Sequence, residues 1–245
     1  MSTPFTVQFP TGGRATAVRV PSTLDIAGAL EAMGLGGPRP TVVVVGGAGG
    51  LDETDLERLR ALFTAAIVPV LAAHHGVGVD GGTLSGVMRL FGQTRAAAGA
   101  SFPLLGVVAE GTVELPGHQS ASDRAELDSH HSHFLLVPGD QWGDESPWIA
   151  EVAGALAGSA PSITVLINGG QIALQDVEHS LAAGREVIVL AGSGRAADTL
   201  AAALAGTPTD ERTAALVGRG PIRALPADDP AALTAALATV LGAST

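Results

Sequence analysis

Short apolar runs rich in β-branched residues alternate along this chain with longer stretches whose apolar positions recur at helical spacing, and glycines gather where one pattern gives way to the other. Thr41–Val45 is an unbroken β-branched run, as expected of a central parallel strand covered on both faces. Further strands are predicted at Gly76–Val79, Phe102–Val108, Ser132–Val137, Ser162–Ile167, Val187–Leu190 and Ile222–Leu225. Asp52, followed by Glu53 and Asp55, reads as the N-cap of a long helix reaching about Leu71. Other helices are expected over Val87–Ala97, Trp148–Leu156, Ala173–Ala183, Arg195–Leu204, Asp210–Val217 and Pro230–Leu241. At the start of the chain, Thr6–Phe9 and Ala15–Val20 flank Pro10-Thr11-Gly12-Gly13 and predict a β-hairpin, followed by a short helix capped by Ser22 or Thr23.

Strand–helix alternation of this kind predicts an α/β fold: a doubly wound, mainly parallel sheet with helices on both faces, plus the small N-terminal β-hairpin. The connector Gly34–Arg39 divides the chain into an N-terminal hairpin and helix extension, residues 1–38, and one large domain, residues 39–245. Glu110–Asp128, irregular and rich in Gly, Pro and polar residues, is expected to be a mobile loop or lid.

Four predicted strands end in glycine turns, and in such sheets ligands bind beyond the carboxyl ends of the strands. The turns hold Gly47, Ala48, Gly49 and Gly50; Gly82, Thr83, Ser85 and Gly86; Gly169 and Gly170; and Gly192, Ser193, Gly194 and Arg195. Placed at one sheet edge, they describe a crevice lined by backbone N–H groups and suited to phosphate. The last turn, within Glu186–Asp198, adds a guanidinium. The structural alternative is that each glycine merely permits a tight βα turn.

Composition removes several chemistries. All 13 basic residues are Arg, against 24 acidic ones, for a formal charge of −11. The absence of Lys rules out a Walker A loop and a Schiff-base lysine. The acidic balance argues against a nucleic-acid partner, which needs a concentrated basic face. With no Cys there is no disulfide or thiolate, and with neither a signal-like N-terminus nor an apolar run of spanning length, a soluble cytoplasmic protein without membrane insertion is expected.

Gly47-Ala48-Gly49 lacks the third glycine of a dinucleotide fingerprint, since Asp52 stands there, which speaks against a hydride-transferring dehydrogenase. His130, His131 and His133 admit a metal reading, but residues three apart on an extended segment face opposite ways, so hydrogen-bonded structural histidines are expected and no metal. Ser85 and Ser193 lack the hydrolase elbow frame and are expected to donate to phosphate or cap a helix. Asp176, Glu178 and Asp198 follow glycine turns on predicted helices. Each is either a ribose-binding or acid/base carboxylate, or a solvated charge compensating a helix dipole. Trp142, in the polar loop Pro138–Pro147, is a candidate base-stacking platform or a loop anchor.

The segment Thr41–Ala205 resembles the nucleotide-sensing N-terminal region of melastatin-type TRP cation channels. It is still more similar to that region's free-standing prokaryotic relatives, the LSDAT group of the SLOG superfamily. The likeness is carried by GGTLSGVM (Gly81–Met88), LDSHHSHFLLV (Leu127–Val137), NGG (Asn168–Gly170) and GSGRAAD (Gly192–Asp198). It implies a Rossmann-like fold and a non-catalytic sensor or binding module for an ADP-ribose-like, NAD-derived nucleotide, with no required cofactor. By the same resemblance Arg195 would contact phosphate and Trp142 would stack on the ligand. A second basic residue, which the channels place soon after that aromatic, falls by count at Ile149. The superfamily also holds LOG-type phosphoribohydrolases with the motif PGGxGTxxE. Here the equivalent stretch, Asn168–Asp176, lacks the Gly-Thr pair and has Asp for Glu, so an N-glycosidase using Asp176 or Glu178 is the second reading. A homo-oligomer or an effector protein is a further expected partner.

Overall fold

The computed structural model describes residues 3–49, 52–117, 124–207 and 209–243. Its centre is a nine-stranded sheet. β1 (Phe5–Gln8) and β2 (Arg14–Arg19) form the antiparallel hairpin. The remaining strands of this sheet are β3 (Thr41–Gly46), β4 (Val77–Asp80), β5 (Leu104–Ala109), β8 (His133–Val137), β9 (Ser162–Ile167), β10 (Glu186–Ala191) and β11 (Ile222–Pro226). Their spatial order is β1-β2-β8-β5-β4-β3-β9-β10-β11, and every pairing except β1–β2 is parallel. This is the Rossmann-like doubly wound sheet expected from the alternation of strands and helices.

Period-2 alternation sends successive side chains of each strand to opposite faces. Val43 and Val45 of β3 enter one core, together with α1 (Ile26–Ala32), α5 (Ser146–Ala157), α6 (Gln171–Ala182), α7 (Arg195–Leu204) and α8 (Glu211–Val217). Val42 and Val44 enter the other, with α2 (Glu53–Leu62), α3 (Val68–Ala73), α4 (Gly86–Ala97) and α9 (Pro230–Leu241). Because both faces are covered, the strand needs no polar alternation, and Thr41–Val45 is buried throughout.

The long helix predicted to follow Asp52 is not continuous. Asp52 Oδ1 does cap α2, accepting the Asp55 N–H at 2.8 Å, but a π-helical turn, Phe63–Ile67, separates α2 from α3. Pro69 lies in the first turn of α3 and has no N–H to return to Ala65, so the ladder slips. The carbonyl of Ala65 instead accepts the hydroxyl of Thr234 on α9, at 3.2 Å.

Residues 3–38 extend the same sheet: β2 pairs in parallel with β8, and α1 packs on α5. Within the irregular stretch, β6 (Val113–Glu114) and β7 (Ala125–Glu126) form a small parallel pair. The central part of the predicted lid, 118–123, lies outside the described residues, as does Gly50.

Candidate functional site

The sheet reverses its winding between β3 and β9. From β3 the chain steps outward through β4, β5 and β8, then returns at β9 to the other side of β3 and continues through β10 to β11. Such a switch point opens a crevice at the carboxyl ends of the two central strands, because the connecting helices leave to opposite faces. A cavity of about 320 Å³ lies there, of a size that small-molecule sites commonly have. Val44–Ala48 at the end of β3 form one wall, and Gly170, Ile172 and Asp176 at the start of α6 form another. Trp142 and Glu145 in the loop after β8 and Arg195 at the start of α7 complete its polar and aromatic lining.

The glycine turns divide into scaffold and lining. A Cβ on Gly86 would stand 1.8 Å from the Gly47 carbonyl oxygen, and one on Gly46 2.1 Å from that of Ile167. Gly86 also has φ +47°, so neither space nor backbone admits a side chain there. Gly47 O accepts the Val87 N–H at 3.2 Å, which locks the β3 turn onto the N-terminus of α4. Gly82 packs against Gly106 and Phe134, and Ser85 makes no side-chain cap for α4. Of that turn's predicted residues, Thr83 lines the cavity, while Gly82, Ser85 and Gly86 do not.

Several backbone donors in and just after the Gly192–Arg195 turn are used inside the fold. Gly192 N–H goes to Asp198 Oδ1 at 2.6 Å and Ser193 N–H to Leu190 O at 3.2 Å. The first-turn N–H groups of α7 at Ala196 and Ala197 donate to Gly169 O and Asn168 O. Ser193 Oγ is buried, donating to Leu190 O at 2.6 Å and accepting the Asn168 N–H at 2.8 Å, so its hydroxyl is not free for a ligand. Asn168, at φ +56°, ties the two turns together: its Oδ1 accepts the Gly169 N–H and its Nδ2 donates to Ser193 O.

Four helices start at this edge after glycine turns, and three are capped: α2 by Asp52, α4 by Gly47 O, and α7 by Asn168 O and Gly169 O. The N-cap of α6 is Gly170, which has no side chain to offer, and its residues 170–173 line the cavity. Arg195 lies beside it; a Cβ on Gly170 would be 2.9 Å from the guanidinium Nη2. Arg195 has φ +50°, unusual for a non-glycine residue, and its Nη1 donates to Gly49 O at 2.9 Å. Among the described residues no carboxylate forms an ion pair with it. Among the described residues the edge therefore offers an anion an open helix N-terminus at α6 with an adjacent guanidinium.

The opposite wall is acidic. Asp176 is 8 % exposed, and among the described residues its Oδ1 has no hydrogen-bond partner. Burial pushes its carboxyl up to about 7; the nearby Ser146 hydroxyl offsets part of this and the Glu145 charge adds to it. Burial also raises Glu145, although Glu145 Oε2 accepts the Gly143 N–H at 3.0 Å. Glu178 is elsewhere: it pairs with Arg219 and does not line the cavity. Helical geometry separates it from Asp176, since residues two apart project to nearly opposite sides. Glu145, Gln171 and Ile172 were not singled out by their sequence context, although Ile149, which also lines the cavity, falls where the resembling channels carry a basic residue.

The three histidines find partners within the fold, and two of them share Asp128. His131 is buried, with Nδ1 2.8 Å from Asp128 Oδ2 and Nε2 2.8 Å from Asp80 Oδ1. Carboxylates at both ring nitrogens require both to donate, hence an imidazolium. Burial lowers its pKa, but the two carboxylates more than reverse this and hold it up at about 9. His130 bonds Asp128 Oδ1 and His133 bonds Ser132 Oγ. Among the described residues no group of three or more His, Asp or Glu is placed to hold a metal ion.

Fold and cleft together define a Rossmann-like α/β protein with a ligand-sized crevice at its switch point. Residues 39–235 match the family model described as SLOG in TRPM, prokaryote, and the chain belongs to that LSDAT family. It is 26 % identical over 220 residues to transient receptor potential cation channel subfamily M member 2 of Rattus norvegicus, and equally to that of Mus musculus. Each alignment covers 75 % of this chain and 14 % of the channel, so the chain spans about one-seventh of the length of these relatives. In fold it is similar to the X-ray structure of the structural-genomics target TM1055, with TM-score 0.53, 20 % identity and coverage of 79 % of this chain and 97 % of that one. It is also similar to a molybdenum cofactor binding protein from Rippkaea orientalis, with TM-score 0.52, 15 % identity and coverage of 81 % and 97 %. Among the described residues no helix is long and apolar enough to cross a membrane.

Proposed function

We propose that the chain is a binding module for a phosphate-bearing nucleotide of the ADP-ribose type. The observation that carries this reading is the open N-terminus of α6 beside Arg195, a guanidinium with no carboxylate ion pair among the described residues, at the switch-point cavity. Phosphate accepts hydrogen bonds from the first-turn N–H groups and from Arg195, both of which favour an anion. Trp142, 48 % exposed at the cavity, offers a face for the base. The relation to the melastatin-type channel region supports a nucleotide over other anions. Gly47, Ala48, Thr83 and Gly170 are then backbone-lined contacts, while Gly169, Gly192, Ser193 and Gly194 hold the turns.

Titration calorimetry with ADP-ribose, cyclic ADP-ribose, NAD and AMP tests the reading. Arg195→Ala should weaken binding by about 1.5–3 kcal/mol, the worth of a charge-assisted hydrogen bond. Absence of heat with every nucleotide, from folded protein, refutes it.

A second reading is favoured by the raised carboxyl of Asp176: cleavage of an N-glycosidic bond, with Asp176 supplying a proton. Its partner in the cavity would be Glu145 rather than Glu178. Release of free base from a bound nucleotide, abolished in Asp176→Asn, would establish that activity.

A further inference from the structure

A second cavity, of about 250 Å³, adjoins the switch-point one and shares Gly170, Gln171 and Arg195 with it. The first turns of α6, α7 and α8 bound it, through Leu174, Thr199, Asp210 and Thr213. Arg195 is thus common to two chambers of different character. The first holds Trp142 with Met88, Ile149 and Ile172, surfaces that suit a flat base. The second has no aromatic residue in its lining, and Leu174 is its one large apolar side chain among the described residues. Asp210 in it is exposed. Its Oδ1 accepts the Thr213 N–H at 2.9 Å and its Oδ2 the Thr213 hydroxyl at 2.7 Å. These bonds hold the carboxyl below the usual carboxylate range, so at neutral pH it is an anion that accepts and never donates. At the junction of the chambers, Gln171 Oε1 accepts Arg212 Nη1 at 2.7 Å. Because a guanidinium only donates, this contact fixes the Gln171 oxygen on Arg212 and leaves the amide NH₂ as a donor. Among the described residues Arg212, like Arg195, forms no carboxylate ion pair, so a second positive charge lies one side chain away from the junction.

We infer that the second cavity is a subsite for an uncharged, hydroxyl-bearing group joined to the nucleotide through a diphosphate, so that the ligand class is a nucleoside diphosphate with a terminal sugar rather than a mononucleotide. The inference deepens the nucleotide-binding reading above and rests on it. The diphosphate lies along Gly170, Gln171 and Arg195, which both chambers share, with the base on the Trp142 side. A sugar on the Asp210 side donates its hydroxyls to the carboxylate, whose lone pairs exceed the two donors it already has. A phosphate in that place would meet a like charge, and a base would find no aromatic face.

The test compares ADP-ribose with the β-methyl ester of ADP, which has the same charge and carries a methyl group in place of the terminal ribose. Calorimetry on the full chain should show wild type binding ADP-ribose about 10-fold more tightly, the worth of one or two hydrogen bonds. Thr199→Trp, which fills the second cavity, should bring the two ligands within about threefold by weakening ADP-ribose alone; thermal melts confirm that the variant is folded. Amide resonances read wild type directly and need no variant. Those of Thr199 and Asp210 should shift with ADP-ribose and stay with the methyl ester, while the Trp142 indole N–H shifts with both. Equal affinity of wild type for the two ligands overturns the inference, as does a preference that survives in folded Thr199→Trp. So do Thr199 and Asp210 resonances that answer both ligands alike or neither. If the two bind equally and Arg195→Ala weakens both, the nucleotide-binding reading stands and this inference falls. If wild type binds neither, both fall.

Discussion

Replacing His131 by Gln should reduce stability most below about pH 6.5 and remove a distinctive part of its pH dependence. In the fold the imidazolium bridges Asp80 and Asp128, all three side chains being fully buried. Its pKa rises from 6.5 to about 9, and at ~1.4 kcal/mol per pH unit this amounts to about 3 kcal/mol of stabilisation. A group whose folded pKa is raised contributes fully below its unfolded pKa. The contribution here is therefore complete below about pH 6.5 and lost as pH rises through about 9. Between pH 7.5 and 9.5 the loss is about 2 kcal/mol. The composition keeps this window clear: the chain has no Cys, Tyr or Lys, whose ordinary titrations lie from about 8.5 to 10.4. Asp176, up at about 7, contributes its change below the window. Urea unfolding followed by circular dichroism at intervals across the window should show the wild-type decline and a flat His131→Gln profile. The variant should be ~3–5 kcal/mol less stable at pH 7, because two buried carboxylates lose their cation. Parallel pH profiles for the two proteins would refute the reasoning, as would an imidazole resonance of His131 titrating near 6.5.

Three other outcomes follow from the same geometry. Gly86→Ala places a Cβ 1.8 Å from the Gly47 oxygen at φ +47°, so its melting temperature should fall sharply and nucleotide binding should go with it; a wild-type melt would show that the turns separate easily. Asp176→Asn should stabilise the free protein at pH 8 by on the order of 2–4 kcal/mol and give little gain near pH 4, since a carboxyl whose folded pKa is raised costs stability above its unfolded value. Equal effects at the two pH values in urea unfolding would contradict it. Glu178→Gln breaks only a half-exposed pair with Arg219, so calorimetry should show unchanged nucleotide affinity and urea unfolding a change within about 1 kcal/mol.

The strands and their glycine turns are legible because they are local: a β-branched run buried on both faces needs no partner information to be recognised, and glycine marks where it stops. The position of β3 beside β9 is not local. It depends on which way the chain winds after β8, and with it goes the loop after β8 that brings Trp142 and Glu145 to a cavity floored by β3. Hydrogen-bond accounting was equally hidden. GSGRAAD reads as an open cradle, yet Asp198, Leu190, Asn168 and Gly169 accept four of its N–H groups, and the helix after NGG has no side-chain cap. One signal was available in advance: Asp176 and Glu178 are two apart on a helix, so a shared site was geometrically excluded.

Gly46, Gly47 and Gly86 press backbone against backbone beneath the cleft, and the nearest atoms to any added side chain there are main-chain oxygens or the Asn168 amide. The floor of the crevice therefore cannot be retuned by substitution. Variation that altered what the protein recognises would have to accumulate on the rim instead, in the loop carrying Trp142 and Glu145 and on the first turns of α6. A saturation library spread over both regions should be silent in ligand preference below and productive above, so that the same rigid base could serve chains that respond to different signals.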